Sequence, residues 1–506
     1  MMELFFFVVA IALFIYRRIR KQPRYVPGAA RHIMEPVSSS MLLSEVDPTK
    51  SAQVNIVSLL IFEEKMSFID FRDRFVINLV QTDPDSRMIY RLDCSHITKA
   101  ATWIKMENWD PKENCFHITE PQTLRSTNDL VAKRLTGALS IDKPLWELQF
   151  IETYQEGKGS PVSAAIITMH HAMGDGFTLC HQIMRRAAPV DPNMTMHDCY
   201  PFSVPAAGAK SSSIRCKIRL VYKIIKAVFK LLLLTPDPPS ALRSTSTRRA
   251  DDTIVSAMDI MDANVDKLKA IAKKADLALP KSGRVHGKVS LNDIIVAACS
   301  LALGNLMKGR RHDVTSAIWI GLNRKSVIER PKERRFDWGN ENLGTCYLQL
   351  PTGETDPIRA LELCHLRMGE MKHSPEPVVA NRLLRLLGSI PLWILRPIRN
   401  LVLDKMSASI SNLPGPSHQI KFPVAPDGAP NESMEGVGRL RDVFFLVAPP
   451  FSYGPYVTIM SYRGKMYFGM CAAEKLMDQF TVENVVKTDI PAALFGIERA
   501  IDELLS

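Results

Sequence analysis

A chain of 506 residues corresponds, at about 150 residues per domain, to two to four domains, so a large buried core is available to it. With 46% apolar and 23% charged residues, and with 33 prolines and 25 glycines, the composition disfavours collagen-like, disordered and polytopic membrane classes. Lysine and arginine number 64 against 53 aspartates and glutamates, and this net +11 calls for an anionic partner: nucleic acid, lipid headgroups or a phosphorylated small molecule.

From the N-terminus, Leu4 to Tyr16 form an unbroken apolar run followed at once by Arg17, Arg18, Arg20 and Lys21. At 1.5 Å per residue the run covers about 20 Å, short of the roughly 27 to 30 Å hydrocarbon core, although Met1, Met2 and snorkelling arginines extend its reach. The basic residues follow the run rather than precede it, and no A-x-A site is present. Residues 1–21 are therefore expected to be a retained membrane anchor, not a cleaved signal, with the C-terminal body on the cytosolic side.

Further along, Val162 to Met169 read as a strand and Phe177 to Arg186 as a periodic helical segment. Linker signals at 201–213 and 235–252 bracket Ile214 to Leu234. Within that segment Ile214, Ile218, Val221, Ile225, Val228 and Leu232 recur at helical spacing, while Arg215, Arg219, Lys223, Lys226 and Lys230 run down another side. Such a basic amphipathic helix either lies in an anionic interface or packs on its own domain with its lysines in water. Leu291 to Met307 and Pro357 to Met371 read as helices. Asn381 to Lys405, apolar and basic and broken by Pro391 and Pro397, suits an interface. A loop is expected from Ala425 to Gly438, and Val457 to Phe468 reads as a strand with a hairpin turn at Tyr462 to Lys465. Alternating elements of both kinds give a mixed α/β architecture. The nine cysteines are scattered without a C-x-x-C pair or metal-ligand spacing, which fits reduced thiols in the cytosol and no metal site.

The sharpest feature is His170-His171-Ala172-Met173-Gly174-Asp175-Gly176, directly after the apolar strand. Alternation along a strand puts Ile167, Met169 and His171 on one face and Ile166, Thr168 and His170 on the other, so only one histidine can serve a given channel. An imidazole titrating near 6.5 can take a hydroxyl proton at neutral pH. Asp175 is placed to cap the following helix or hold a basic side chain, and Gly176 permits close backbone approach. By chance the whole string is expected less than roughly once in a thousand such chains.

This string resembles the HHxxxDG signature of the coenzyme A-dependent acyltransferase superfamily, and the rest of the chain resembles its wax ester synthase/diacylglycerol acyltransferase branch. Pro144-Leu145-Trp146 is similar to the branch's PLW element, Asn292-Asp293 with Ala297 to NDxxxA, Gly339-Asn340 to a GN element entering a strand, and Ser411-Asn412-Leu413-Pro414-Gly415-Pro416 to SNxxGP. The likeness runs from about Ser38 to the C-terminus. Each string also has a structural reading: Ser290 and Asp293 form a capping box, the PLW element is a core anchor, and Ser411-Asn412 is a turn.

The resemblance implies two chloramphenicol-acetyltransferase-like mixed-sheet halves with a channel between them, in addition to the N-terminal anchor helix. On the chain this gives an N-terminal half at 38–235, a linker at 236–252 and a C-terminal half at 253–506. It further implies that His171 is the general base, with His170, Asp175 and Gly176 completing the catalytic loop, and that Ser411, Asn412, Asn292 and Asp293 are candidates for holding substrate or an oxyanion. Acyl-CoA enters as a substrate with no permanently bound cofactor, and the acceptor is a long-chain alcohol or diacylglycerol. Membrane lipid is a partner and nucleic acid is not, since no recognisable nucleic-acid module is present. The expected setting is the endoplasmic reticulum membrane, or a lipid droplet, with the body facing the cytosol. The alternatives are a carrier-protein-dependent condensation enzyme and a non-catalytic, membrane-tethered lipid-binding protein.

Overall fold

The computed structural model describes residues 30–42, 51–81, 86–94, 101–184, 186–199, 222–228, 230–231, 234–244, 252–279, 287–307, 309, 312–322, 339–340, 343–389, 405–424, 436–449 and 454–506. The apolar run at 4–16, the linker at 201–213 and both prolines at 391 and 397 lie outside the described residues. Among the described residues no helix is long and apolar enough to cross a membrane.

Two large mixed sheets carry the fold. In the first, of seven strands, Val162–His170 is buried at every position. Its run of Val, Ala, Ile and Met suits a strand covered on both faces. It lies antiparallel between Asn55–Phe62 and Trp146–Tyr154. Cys115–Ile118 continues the sheet on the Trp146 side, while Gly438–Val447, Ile420–Phe422 and Ala188–Pro189 continue it on the other.

The second sheet has six strands in the order Ile254–Met261, Lys465–Ala473, Tyr456–Tyr462, Ala408–Pro414, Val314–Gly321 and Leu343–Leu350. Its hairpin turn falls where the sequence places it: Tyr462 pairs with Lys465, and the two residues between them, Arg463 and Gly464, have φ of 52° and 75°. Positive φ at both central positions is the primed turn that matches strand twist. The expected helices at 291–307 and 357–371 are found as Leu291–Asn305 and Pro357–Lys372. Leu291–Asn305 is buried at every position from Asp293 to Leu303, and it packs between Pro357–Lys372 and the last helix, Ile490–Leu505. A helix apolar all round needs such enclosure.

The sheets do not follow a split of the chain at 236–252. Ile420–Phe422 and Gly438–Val447 come from the later half yet complete the first sheet. Val443 to Val447 are buried at consecutive positions, and such a segment needs a partner strand and cover on both faces. Asn55–Phe62 supplies the pairing. The second sheet supplies cover: Thr458 Oγ1 donates to the Phe445 carbonyl at 2.6 Å, Tyr462 to the Leu440 carbonyl at 2.8 Å, and Tyr467 to Asp442 at 3.0 Å. This strand therefore pins one sheet to the other.

Candidate active site

The histidine strand ends at His170, a short turn spans His171–Met173, and the helix Gly176–Met184 runs back along the sheet. The loop between them is held by its own backbone and by neighbours. His170 N–H donates to the Leu145 carbonyl at 2.9 Å, which ties the PLW element to the loop, and His171 N–H donates to Val54 at 2.8 Å. The His170 ring is fully buried, and its Nδ1 accepts the Ala172 N–H at 3.1 Å. Asp175 Oδ1 accepts the Thr178 N–H at 2.8 Å, so this carboxylate caps the helix.

His171 is 9% exposed. Burial lowers its pKa to about 4, and the neighbouring His170 adds to this; hydrogen bonding to its own backbone and to the Asn340 side chain offsets it in part. The imidazole is neutral across the physiological range and able to accept a proton.

A second set of residues holds the same loop from behind; Asn340, Gly339 and Trp146 come from the GN and PLW elements, whereas Arg87, Glu35, Trp103 and Ser38 were not singled out by the sequence. Arg87 is fully buried; its Nη1 donates to the carbonyls of Ala172 at 3.1 Å and Met173 at 3.2 Å, and its guanidinium pairs with Glu35. The guanidinium also lies 5.2 Å from the Trp103 ring centre. Asn340 Nδ2 donates to the His171 carbonyl at 2.8 Å and to Ser38 Oγ at 3.2 Å. Gly339 explains the other half of the GN element. Its φ is +151°, and a Cβ there would lie 2.6 Å from Glu35 Oε1. Trp146 of the PLW element is a core anchor whose Nε1 donates to the Met88 carbonyl at 2.9 Å, next to Arg87.

The later motifs divide between two faces of the second sheet. On Ala408–Pro414, Ser411 and Leu413 share one face and Asn412 lies on the other. Leu413 meets the helix start: a Cβ on Gly176 would lie 3.2 Å from Leu413 Cδ1. Ser411 is 9% exposed and its side chain hydrogen-bonds Tyr456. Asn412 donates instead to Asn292 Oδ1 at 2.7 Å, so the two polar residues do not face the histidine loop as a pair. Asp293 is fully buried and taken up by structure: it accepts the Ser290 N–H at 2.8 Å and lies 2.9 Å from His365 Nδ1.

An apolar cavity adjoins the loop, lined among others by Ile167 and Met169 of the histidine strand, Leu179 and Ile183 of the helix, and Leu413 and Met460 of the second sheet. Both sheets thus contribute to it. Among the described residues no group of three or more His, Cys, Asp or Glu side chains is disposed to hold a metal ion.

Two family models match the chain: the wax ester synthase/diacylglycerol acyltransferase catalytic domain over residues 34–292, and the WS/DGAT C-terminal domain over residues 338–483. The chain belongs to the wax ester synthase/diacylglycerol acyltransferase family. The two matched segments contain every residue of the loop and of its supporting set. Wax ester synthase/diacylglycerol acyltransferase 11 of Arabidopsis thaliana is 22% identical over 332 residues, 58% of this chain, and the match spans 64% of that relative's length. The fold is shared with the wax ester synthase/diacylglycerol acyltransferase of Marinobacter aquaeolei VT8, with a TM-score of 0.59 at 14% identity over 93% of this chain and 99% of that one. It is also shared with a trichothecene 15-O-acetyltransferase from Fusarium sporotrichioides, with a TM-score of 0.58 at 10% identity over 94% and 99%.

Proposed function

We propose that this family member moves a fatty acyl group from acyl-CoA to a lipid hydroxyl, giving wax ester from a long-chain alcohol, triacylglycerol from diacylglycerol, or both. The observation that carries the reading is a neutral, almost buried His171 in the turn between the histidine strand and the helix Gly176–Met184, two elements whose side chains line an apolar cavity.

In this mechanism the His171 imidazole takes the hydroxyl proton of the acceptor as its oxygen attacks the thioester carbonyl. The tetrahedral adduct collapses, the carbon–sulfur bond breaks, and the imidazolium returns the proton to the thiolate of coenzyme A. No acyl-enzyme forms. Asp175 caps the helix and fixes the loop, and His170 props it from inside. Ser411 is the better placed of the SN pair to donate to the developing oxyanion, because it shares a strand face with Leu413, which lines the cavity, whereas Asn412 lies on the opposite face with Asn292.

We further propose that the protein works at a membrane. The sequence of residues 1–21 supports an anchor, and the described part of the basic helix supports an interfacial role. There Ala227 and Leu231 are buried while Tyr222, Ile224 and Ile225 are exposed alongside Lys223 and Lys226. Deleting residues 1–21 is expected to weaken membrane partition while leaving transfer in detergent; unchanged partition would refute the anchor.

The decisive assay supplies the purified protein with palmitoyl-CoA and either hexadecanol or dioleoylglycerol, and follows release of coenzyme A together with the lipid formed. Ester formation with either acceptor is expected in the native chain, and His171→Ala is expected to lose about two to four orders of magnitude in kcat. Equal rates for the two proteins would sink the assignment.

A further inference from the structure

The apolar cavity has a direction. On its sheet side the lining runs along Asn55–Phe62 through Ile56, Ser58 and Leu60, and along the histidine strand through Met169 and Ile167. The register pairs Ile56 with Met169 and Ser58 with Ile167, and on the next strand Phe445 pairs with Ser58 and Val443 with Leu60. These residues form one continuous face, about 13 Å long from Ile56 to Leu60 at strand spacing. The helix side matches it. Gly176, Leu179, Cys180, Ile183 and Met184 recur at three- and four-residue intervals, one helical face about 12 Å long.

The two sides run in opposite chain directions from the same point. The strand leads into His171 and the helix leads away from it, so Gly176 and Met169 stand at the histidine end while Ile183, Met184 and Leu60 stand at the far end. Leu413 and Met460, paired in register, close the third side. Among the described residues, Ser58 and Cys180 are the only lining residues bearing a hydroxyl or a thiol.

As it stands the cavity is narrow, with about 30 Å³ open to the centres of water-sized groups. Three of its walls carry methionine, however: Met169 on the sheet, Met184 on the helix and Met460 on the opposite sheet. Unbranched thioether side chains change rotamer at low cost and fill whatever space a neighbour leaves.

We propose that this cavity is the collapsed form of a hydrocarbon slot that receives one long chain of the substrates, that the chain opens it by displacing the methionines, and that Ile183 and Met184 form its blind end and limit chain length. The proposal rests on the acyl-transfer reading above and adds to it which residues hold the chain. The chemistry recognised is a saturated or monounsaturated alkyl chain, which either the acyl-CoA or the acceptor alcohol can bring.

Cys180 provides a reporter in the wall. In the full-length protein, alkylation of Cys180 by N-ethylmaleimide is followed by peptide mass spectrometry with palmitoyl-CoA, hexadecanol, acetyl-CoA or coenzyme A present. At a ligand concentration ten times its dissociation constant the chain-bearing occupant is expected to slow alkylation about tenfold, while acetyl-CoA and coenzyme A leave the rate unchanged. Protection by palmitoyl-CoA assigns the slot to the acyl chain, and protection by hexadecanol assigns it to the acceptor. Protection by neither, or equally by acetyl-CoA, overturns the proposal.

A second measurement reads the blind end. Met184→Ala is expected to raise the ratio of kcat/KM for long over medium chains about tenfold on the side that occupies the slot, and Cys180→Phe to lower it by a similar factor. Unchanged ratios in both variants would also overturn the slot. Protection of Cys180 needs no turnover, so transfer with an unprotected cysteine would refute the slot alone, and protection without transfer would refute the acyl-transfer reading alone.

Discussion

Arg87 Nη1 donates to the carbonyl of Ala172 at 3.1 Å, across 85 positions of sequence, and so fixes the turn that carries His171 from a direction no substrate can reach. The guanidinium also holds the Met173 carbonyl and pairs with Glu35. Replacing Arg87 by methionine leaves Glu35 without its partner and two buried carbonyls without a donor, and is expected to cost about 3 to 5 kcal/mol in denaturant unfolding. Adding Glu35→Gln to that variant should restore part of the loss, since the stranded charge is gone. A double-mutant cycle in which the two changes simply add would show that the pair does not act as a unit.

The depressed pKa of His171 gives a pH dependence whose sign can be worked out. In the unfolded chain a histidine takes up a proton near pH 6.5, whereas in the folded protein His171 does so only near 4. Between those values the unfolded state binds more protons, so this residue makes stability rise with pH and fall on acidification from about 6.5 toward 4. Urea midpoints measured across that window are expected to fall less steeply for His171→Gln than for the native chain. The base form persists in acid as well, so the acid limb of kcat/KM should lie well below pH 6.5; an inflection at 6.5 would mean that His171 is not the titrating base.

The opposite faces of Ser411 and Asn412 separate their expected effects. Ser411→Ala is expected to lower kcat by about two to three orders of magnitude if its hydroxyl serves the oxyanion, with KM little changed. Asn412→Ala removes one partly exposed hydrogen bond to Asn292 and is expected to cost about 1 kcal/mol of stability with a small effect on kcat. Steady-state kinetics with thermal unfolding of both variants tests the assignment, and the reverse pattern would exchange their roles.

Gly339 is a third point of leverage. Any side chain there must adopt φ of +151° and press on Glu35 and Arg87. Gly339→Ala is expected to lose about 1 to 3 kcal/mol from the backbone alone. It should also lower kcat more than it raises KM, because the strain is delivered to the loop holding His171. A native-like melting temperature and rate would show that the GN element is not needed for that geometry.

What was legible in the sequence was local. The histidine strand, the primed turn at Arg463 and Gly464, and the Ser290–Asp293 cap all depend on residues within a few positions of each other, and the periodicities are strong. Of the clamp behind the loop, only Asn340 of the GN element was legible. Ser38, Arg87 and Asn340 meet only in three dimensions, and in sequence Arg87 is an ordinary basic residue at the head of an apolar stretch. Nor can the pattern of Gly438–Val447 say which sheet receives it. A strand buried on both faces fits either, and the choice is made by its antiparallel ladder with Asn55–Phe62, while Thr458, Tyr462 and Tyr467 of the second sheet bond to it from above. Ser411 and Asn412 are both oxyanion candidates by motif, yet they sit on the strand Ala408–Pro414, where alternation sends adjacent side chains to opposite faces.

The late arrival of Gly438–Val447 in the first sheet governs how the protein is made. Until that segment leaves the ribosome, Asn55–Phe62 presents a bare, apolar strand edge, and such an edge pairs readily with any other exposed strand. Prematurely terminated chains are then a hazard even when every catalytic-loop residue has been synthesised. The halves on either side of the linker are not separable parts: a fragment ending at 252 carries the histidines but lacks the strand that would protect them from aggregation.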